Sequence, residues 1–228
     1  MLTLLSDKEG KLSVSARGAL RRGCKFSASA QQLCYSEFTL FGNRGRWSVN
    51  EGNTIEQFLG LRDDLSRLAL GSYFAELLEA VSDEDAPNAA VLSLGLNSLY
   101  ALSRGLYAPE HIKAVFELRL MCLSGYMPSL DCCAACGTEM PEYPRFSLTG
   151  GCVHCTDCPS GAPGTSLPLC SQSLLAMRYI TLAEPKKIFS FSLDGDAFER
   201  LKKVCEGYVQ AQLERSFSSL DYWKSIKL

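Results

Sequence analysis

Histidine is scarce in this chain: His111 and His154 are the only two in 228 residues. Ile112-Lys113 follow the first and Cys155-Thr156 the second, so the His-x-Glu signature of zinc deaminases is missing. There is no glycine loop with a phosphate-binding lysine and no serine nucleophile elbow. Asp63-Asp64 and Glu84-Asp85 are adjacent carboxylates that read as a solvated helix face and an acidic turn. These absences remove the usual tools of hydrolysis and phosphoryl transfer, and the expectation is a protein that is not an enzyme. Long apolar runs are missing too. The most apolar window, Ala89 to Tyr107, is broken by Ser93, Asn97, Ser98, Ser103 and Arg104 and reads as a buried helix, not a membrane span. The apolar residues of Met1 to Glu9 are too few for a signal peptide and lack a basic flank. No internal repeat or low-complexity tract is found.

Cysteine, by contrast, is abundant, with eleven in the chain. Cys24, Cys34, Cys122, Cys170 and Cys205 are scattered singly and do not form a disulfide framework. The expected compartment is reducing, the cytoplasm, where close thiol pairs hold metal more often than each other. Such pairs occur at Cys133-Ala134-Ala135-Cys136-Gly137 and Cys155-Thr156-Asp157-Cys158, with 18 residues between them. This matches the zinc pattern of two Cys-x-x-Cys pairs joined by about 15–20 residues. Two intervening residues let a tight turn aim both sulfurs at one ion, and two such turns complete a tetrahedron. Gly137 suits a turn that needs positive φ. The predicted ligands are Cys133, Cys136, Cys155 and Cys158, holding one structural Zn2+. Four thiolates close the coordination shell, whereas catalytic zinc keeps a position open. Cys132, Cys152 and His154 remain alternative ligands, since Cys152-x-x-Cys155 is also a pair. The plainer reading is a thiol-rich loop without metal. A thioredoxin-like role would need a βαβ pattern, which is not present.

Charge is unevenly placed. Residues 1–53 carry eight basic and four acidic side chains, a net +4, which leaves −6 for the rest of a chain whose total is −2. A basic part on an acidic body suits a polyanion, because phosphate neutralisation is local to one face. The bland alternative is an ordinary solvated surface. The candidate DNA-binding residues are Lys11, Arg17, Arg21, Arg22, Lys25, Arg44 and Arg46. Most lie in a glycine-punctuated loop, Arg17 to Phe26, where Phe26 or nearby Tyr35 is placed to stack on bases.

The period-2 patterns of Lys11 to Ala16, Leu33 to Phe41 and Arg46 to Asn50 predict strands, with a hairpin turn at Gly42-Asn43-Arg44-Gly45. A small antiparallel barrel of the oligonucleotide-binding (OB) kind would place such loops beside its groove. From Thr54 the period becomes 3.6. Asn53 or Thr54 is the predicted cap, Ile55, Phe58, Leu59, Leu61, Leu65 and Leu68 form the stripe, and Gly71 interrupts it. Further helices are expected over Asn88 to Ser103, from Pro109 to about Cys122, from Ser171 or Ser173 through Ile180, and over Ala197 to Leu213. Pro159 to Pro168 reads as a linker. The predicted class is α+β. An OB-like barrel over residues 1–53 precedes a helical domain over 54–228, with the zinc module inserted at 131–160.

Several stretches together resemble one family. They are Gly10-Lys11 through Arg22, Tyr35-Ser36-Glu37-Phe38, and Phe116 to Tyr126 running into Cys133-Ala134-Ala135-Cys136-Gly137. Gly150-Gly151 ahead of Cys155 and Glu214-Arg215 through Ser219-Leu220-Asp221 complete the set. The chain is similar along nearly its whole length to the bacterial RecO family of DNA repair and recombination mediators. The resemblance implies an OB barrel, a helical body and a zinc module. It implies binding of single- and double-stranded DNA, strand annealing, and partnership with RecR and with the tail of single-stranded DNA-binding protein. The implied outcome is loading of RecA on coated DNA in the RecF pathway, without a chemical step, in the bacterial cytoplasm at the nucleoid. About twenty residues that normally precede Met1 in the family are not in this sequence, so either the sequence starts late or the barrel is a reduced one without its first strand. Cys152-Val153-His154 also departs from the family's more apolar residues. An acidic, aromatic-ended tail would want a cation beside apolar groups, such as Arg119 near Phe116 or Arg104 near Tyr107. The rival class is a zinc-ribbon adaptor that binds proteins and no nucleic acid.

Overall fold

A computed structural model describes residues 1–19, 21, 23–43, 45–158 and 164–226. The chain is α+β and divides into two compact units, Met1–Leu106 with Phe217–Leu228, and Tyr107–Ser216.

The first unit begins with β1 (Leu2–Ser6) and β2 (Gly10–Ser15), an antiparallel pair joined by a tight turn. A loop then leads to β3 (Tyr35–Asn43) and β4 (Arg46–Glu56), the expected long hairpin. β1 was not foreseen, because Leu2, Leu4 and Leu5 read as a short apolar run without clear alternation. The strand order is β1-β2-β4-β3, with β2 and β4 parallel where they pair. Among the described residues this is an open sheet, and no strand pairing closes it into a barrel.

The predicted helix at Thr54 is corrected. Thr54 and Glu56 are still in the ladder, opposite Ser36 and Tyr35. The backbone then turns at Phe58, which is buried at φ 48, and a short 3-10 turn covers Leu59–Leu61. The apolar residues that mimicked a helical stripe thus span a strand end, a bend and this turn. Helix α1 (Leu65–Val81) starts at Asp64, whose carboxylate accepts from the N–H groups of Ser66 (2.8 Å) and Arg67 (3.1 Å). Asp64 is therefore a helix cap and not part of a bland solvated face. Gly71 does not interrupt α1. It lies inside the helix because a Cβ there would sit 2.9 Å from the Leu33 side chain, so the missing methyl admits the loop before β3.

Helix α2 (Ala89–Arg104) is capped by Asn88 and ended by Gly105. Helix α6 (Ser218–Ser225) packs on α1, where Phe217 meets Tyr73 edge-on at 5.7 Å and Trp223 Nε1 donates to Ser66 Oγ at 3.1 Å. Glu76 accepts from the N–H of Ser219 at 3.2 Å and also from its hydroxyl.

In the second unit α3 (Pro109–Leu123) is the central helix. Ile112, Val115, Phe116, Leu118, Leu120 and Met121 are all fully buried, so it has no solvated stripe along most of its length. α4 (Ser171–Leu182) and α5 (Gly195–Leu213) pack against it. Within this apolar setting Lys113 Nζ lies 2.7 Å from Glu117 and 2.9 Å from Glu206. A three-stranded sheet, order β6-β5-β7, is built from β5 (Pro144–Ser147), β6 (Cys152–Cys155) and β7 (Ser166–Pro168). β7 corrects the end of the expected linker. Leu167 pairs with Phe146, and strand pairing overrode the local proline and serine content. Pro159 to Pro163 lie outside the described residues.

Candidate metal centre and basic loop

The two cysteine pairs converge. The sulfurs of Cys133, Cys136, Cys155 and Cys158 all lie within 4.8 Å of one another, and Cys136 and Cys155 are 3.6 Å apart. A tetrahedral site with bonds of about 2.3 Å places sulfurs about 3.8 Å apart, so the spacing fits one ion.

Local backbone bonds set the geometry. In the first turn Cys133 N–H donates to Thr138 O (2.8 Å) and Gly137 N–H to Cys133 O (2.9 Å), with Gly137 at φ 77. Ala134 N–H donates to Val153 O (2.9 Å), tying this turn to β6. In the second turn Cys158 N–H reaches Cys155 O at 3.3 Å. Cys155 N–H points at the Cys133 sulfur at 3.3 Å. Burial opposes ionisation of Cys133, but the N–H groups of Cys136, Cys155 and Ala135 outweigh it and bring the thiol down to about 6. Its neighbour Cys155 is pushed up to about 12, first by its contact with Cys136 and then by burial.

The alternative ligands are excluded from this cluster. His154 is buried with both ring nitrogens engaged: Nδ1–H donates to Cys155 O (2.9 Å), and Nε2 accepts from the Ser166 hydroxyl (3.0 Å). Cys132 and Cys152 lie outside the four-sulfur group. The sheet beneath is anchored on α5. Phe146 packs edge-on against Tyr208 at 5.2 Å, and Gln212 Nε2 donates to Leu148 O at 2.8 Å.

Sequence reasoning missed Arg178 on α4. Its guanidinium reaches the carbonyls of Leu130, Asp131 and Glu139, on both sides of the first cysteine pair. No local signal marks it, because it lies 20 positions beyond Cys158 and reads as an ordinary helix arginine.

The basic residues of the first unit divide. Lys11 is half-buried on β2, and its Nζ donates to Glu79 O at 3.1 Å. Arg17, Arg21, Lys25 and Arg46 are exposed, and among the described residues none of them makes an ion pair or a side-chain hydrogen bond. Arg22 and Arg44 lie outside the described residues. Successive turns shape the loop, with Arg21 N–H donating to Gly18 O (2.9 Å) and Cys24 N–H to Arg21 O (3.1 Å). Its far end is fixed, since Ser29 packs where Gly52 of β4 lacks a side chain. Phe26 is half-buried, whereas Tyr35 and Phe41 on β3 are exposed, Phe41 by 62%.

Phe116 is fully buried, and Arg119 Nη1 is turned to the carbonyls of Ile180 (3.1 Å) and Thr181. Arg104 lies over Tyr100, 5.4 Å from the ring centre. Among the described residues no helix is long and apolar enough to cross a membrane.

Comparison with known proteins covers the same two regions. The family model described as recombination protein O N terminal matches residues 1–58, and recombination protein O C terminal matches 62–221. The chain is 33% identical over 226 residues to the DNA repair protein RecO of Acetivibrio thermocellus, covering 99% of this chain and 90% of that protein. It is 31% identical over 227 residues to the RecO protein of Alkaliphilus metalliredigens, covering 99% and 92%. With the RecO protein of Symbiobacterium thermophilum the identity is 29% over 230 residues, covering 100% and 90%. With family models matched on both sides of residue 60 and relatives aligned end to end, the chain belongs to the RecO family.

Proposed function

We propose that this protein is a DNA repair and recombination mediator. It binds single- and double-stranded DNA, anneals complementary strands and helps load RecA on strands coated by single-stranded DNA-binding protein, in the RecF pathway. The observation that carries this reading is the set of exposed, uncommitted cations Arg17, Arg21, Lys25 and Arg46 on the strand-rich part of a RecO-family chain. The relatives' shared description as DNA repair proteins supports it. Residues 1–53 act as the OB-like DNA-binding part. Residues 54–228, beyond the last ladder residues of β4 at Thr54 to Glu56, carry the helical body, with the metal module at 131–160.

The mechanism is electrostatic. Arginine and lysine side chains neutralise the phosphates of one strand, with Arg22 and Arg44 adding to the four above. Tyr35 and Phe41 offer ring faces to unstacked bases. Neutralised repulsion then lets a complementary strand approach and pair. No bond is made or broken by the protein. RecR and the tail of single-stranded DNA-binding protein are the proposed partners, and the nucleoid the proposed place of action. The ion is Zn2+, held by Cys133, Cys136, Cys155 and Cys158 in a closed shell, and its role is to fix the fold of the module.

Annealing of labelled complementary strands by the purified protein tests this directly, and a protein that anneals none is instead the zinc-ribbon adaptor. About five phosphate contacts on a single strand give a log–log salt slope of about −3 to −4. The double change Arg21→Ala with Arg22→Ala is expected to flatten that slope by about 1.4. An unchanged slope would remove this loop from the DNA contact.

A further inference from the structure

We infer that Arg178, on α4 and outside the metal segment, sets how tightly that segment holds its ion. The inference rests on the reading of the four sulfurs as a metal site. Arg178 Nε donates to Leu130 O at 2.8 Å, and Nη2 donates to Asp131 O at 2.7 Å and to Glu139 O at 2.6 Å. Nη1 lies 3.0 Å from Met140 Sδ. Leu130 and Asp131 precede Cys133, whereas Glu139 and Met140 follow Cys136. One planar group therefore staples both ends of the loop that supplies two of the four sulfurs.

Two physical consequences follow. A loop whose ends are already held together loses little freedom when the ion arrives, so less of the binding energy goes into ordering it. The staple also supplies charge. Residues 130–140 contain Asp131 and Glu139 but no lysine or arginine, and the sulfurs bind as thiolates. Arg178 brings a cation to a stretch that accumulates negative charge on loading. The position of α4 here is itself fixed, since Arg119 on α3 donates to the carbonyls of Ile180 and Thr181, just beyond Arg178. Lysine cannot substitute, because three carbonyls and a thioether in different directions need a rigid fork of several donors. Arg178 is thus a positioning residue. It touches no sulfur of the cluster and acts through the backbone that carries Cys133 and Cys136.

The test uses the full chain, reduced and metal-free, titrated with Co2+ and with Zn2+ against a chelator of known affinity. Arg178→Gln is expected to weaken metal binding by about 10–100-fold. At saturation the Co2+ absorption of the variant should match the wild type in position and intensity, because the four ligands are the same. Arg178→Lys is expected to recover no more than about threefold of the loss. If Arg178→Gln does not fold, Arg178→Lys carries the comparison, with metal release to excess chelator at least about fivefold faster than wild type. Wild-type affinity in a folded Gln or Lys variant would overturn the inference, since Arg178 would then only pack α4 against the loop. A changed cobalt spectrum at saturation would also overturn it, because the variant would have altered the ligand set. Failure of the wild-type chain to bind either ion would strike the metal reading itself.

Discussion

The loop before β3 and the segment between α3 and α4 are both poor in regular structure, yet they use their polar groups in opposite directions. Between Leu130 and Cys158 carbonyls, thiols and N–H groups turn inward and satisfy one another. Even a distant cation, Arg178, is drawn in. Around Arg17 to Lys25 the backbone closes a string of turns, and the charged side chains stay in water. A stretch whose polar groups bind each other is committed to one shape. A stretch whose cations bind nothing in the protein keeps them for something outside it. The same residue type reads differently in each setting. Arg178 and Arg119 are structural, whereas Arg21 is available.

The largest expected effect comes from breaking the inward-turned segment at its centre. Bound metal can supply about 10 kcal/mol of apparent folding energy to a small zinc module. Cys133→Ser should therefore give insoluble or zinc-free protein. A soluble variant with full metal content, by elemental analysis, would mean that the ligand set is wrong.

A cation buried in the second unit gives the next effect. Lys113→Met leaves Glu117 in the apolar interior without its lysine, and denaturant unfolding should register a loss of about 3–5 kcal/mol. The pH dependence has a definite sign. Burial alone would lower the Lys113 pKa, but Glu117 and Glu206 outweigh it and raise the group above its ordinary value of 10.5. Its contribution is then complete at every pH below 10.5 and is lost only as pH rises through the higher folded value. Wild type should therefore lose none of this contribution between pH 7 and 9, whereas Lys113→Met, with Glu117 buried beside no cation, should lose stability as pH rises.

The smallest effects sharpen the contrast within the basic set. Arg21→Ala and Lys11→Ala remove the same formal charge. Arg21 is free, whereas Lys11 already donates to Glu79 O. Arg21→Ala should flatten the salt dependence of DNA binding by about 0.7, and Lys11→Ala by less than half of that. Equal changes would show that Lys11 leaves its carbonyl to meet phosphate.

The convergence of the four cysteines was legible in the sequence because a Cys-x-x-Cys turn is local: two residues and a glycine decide where the sulfurs point. Helices α2, α4 and α5 were legible because one apolar stripe spans each of them, and α3 because apolar residues recur all round it from Ile112 to Met121. What escaped was set by distant partners. Thr54 to Leu61 looks helical by spacing, but β3 lies alongside and holds Thr54 and Glu56 extended. Gly71 reads as a breaker until Leu33 is seen to fill the space that it leaves. Arg178 cannot be linked to Leu130 and Glu139 without α4 in place. His154 carries the residue type of a ligand, and only the position of Ser166 shows that its ring is already occupied.

Helix α6 belongs with α1, although 110 residues separate Leu106 from Phe217. During synthesis Tyr73, which Phe217 covers, emerges early, and its lid emerges late. Phe217 lies 144 residues after Tyr73, so at about 5–20 residues per second the delay is roughly 7–29 s. For that interval the nascent amino-terminal part shows water an apolar seam along α1, and an early stop codon before Phe217 would make the exposure permanent.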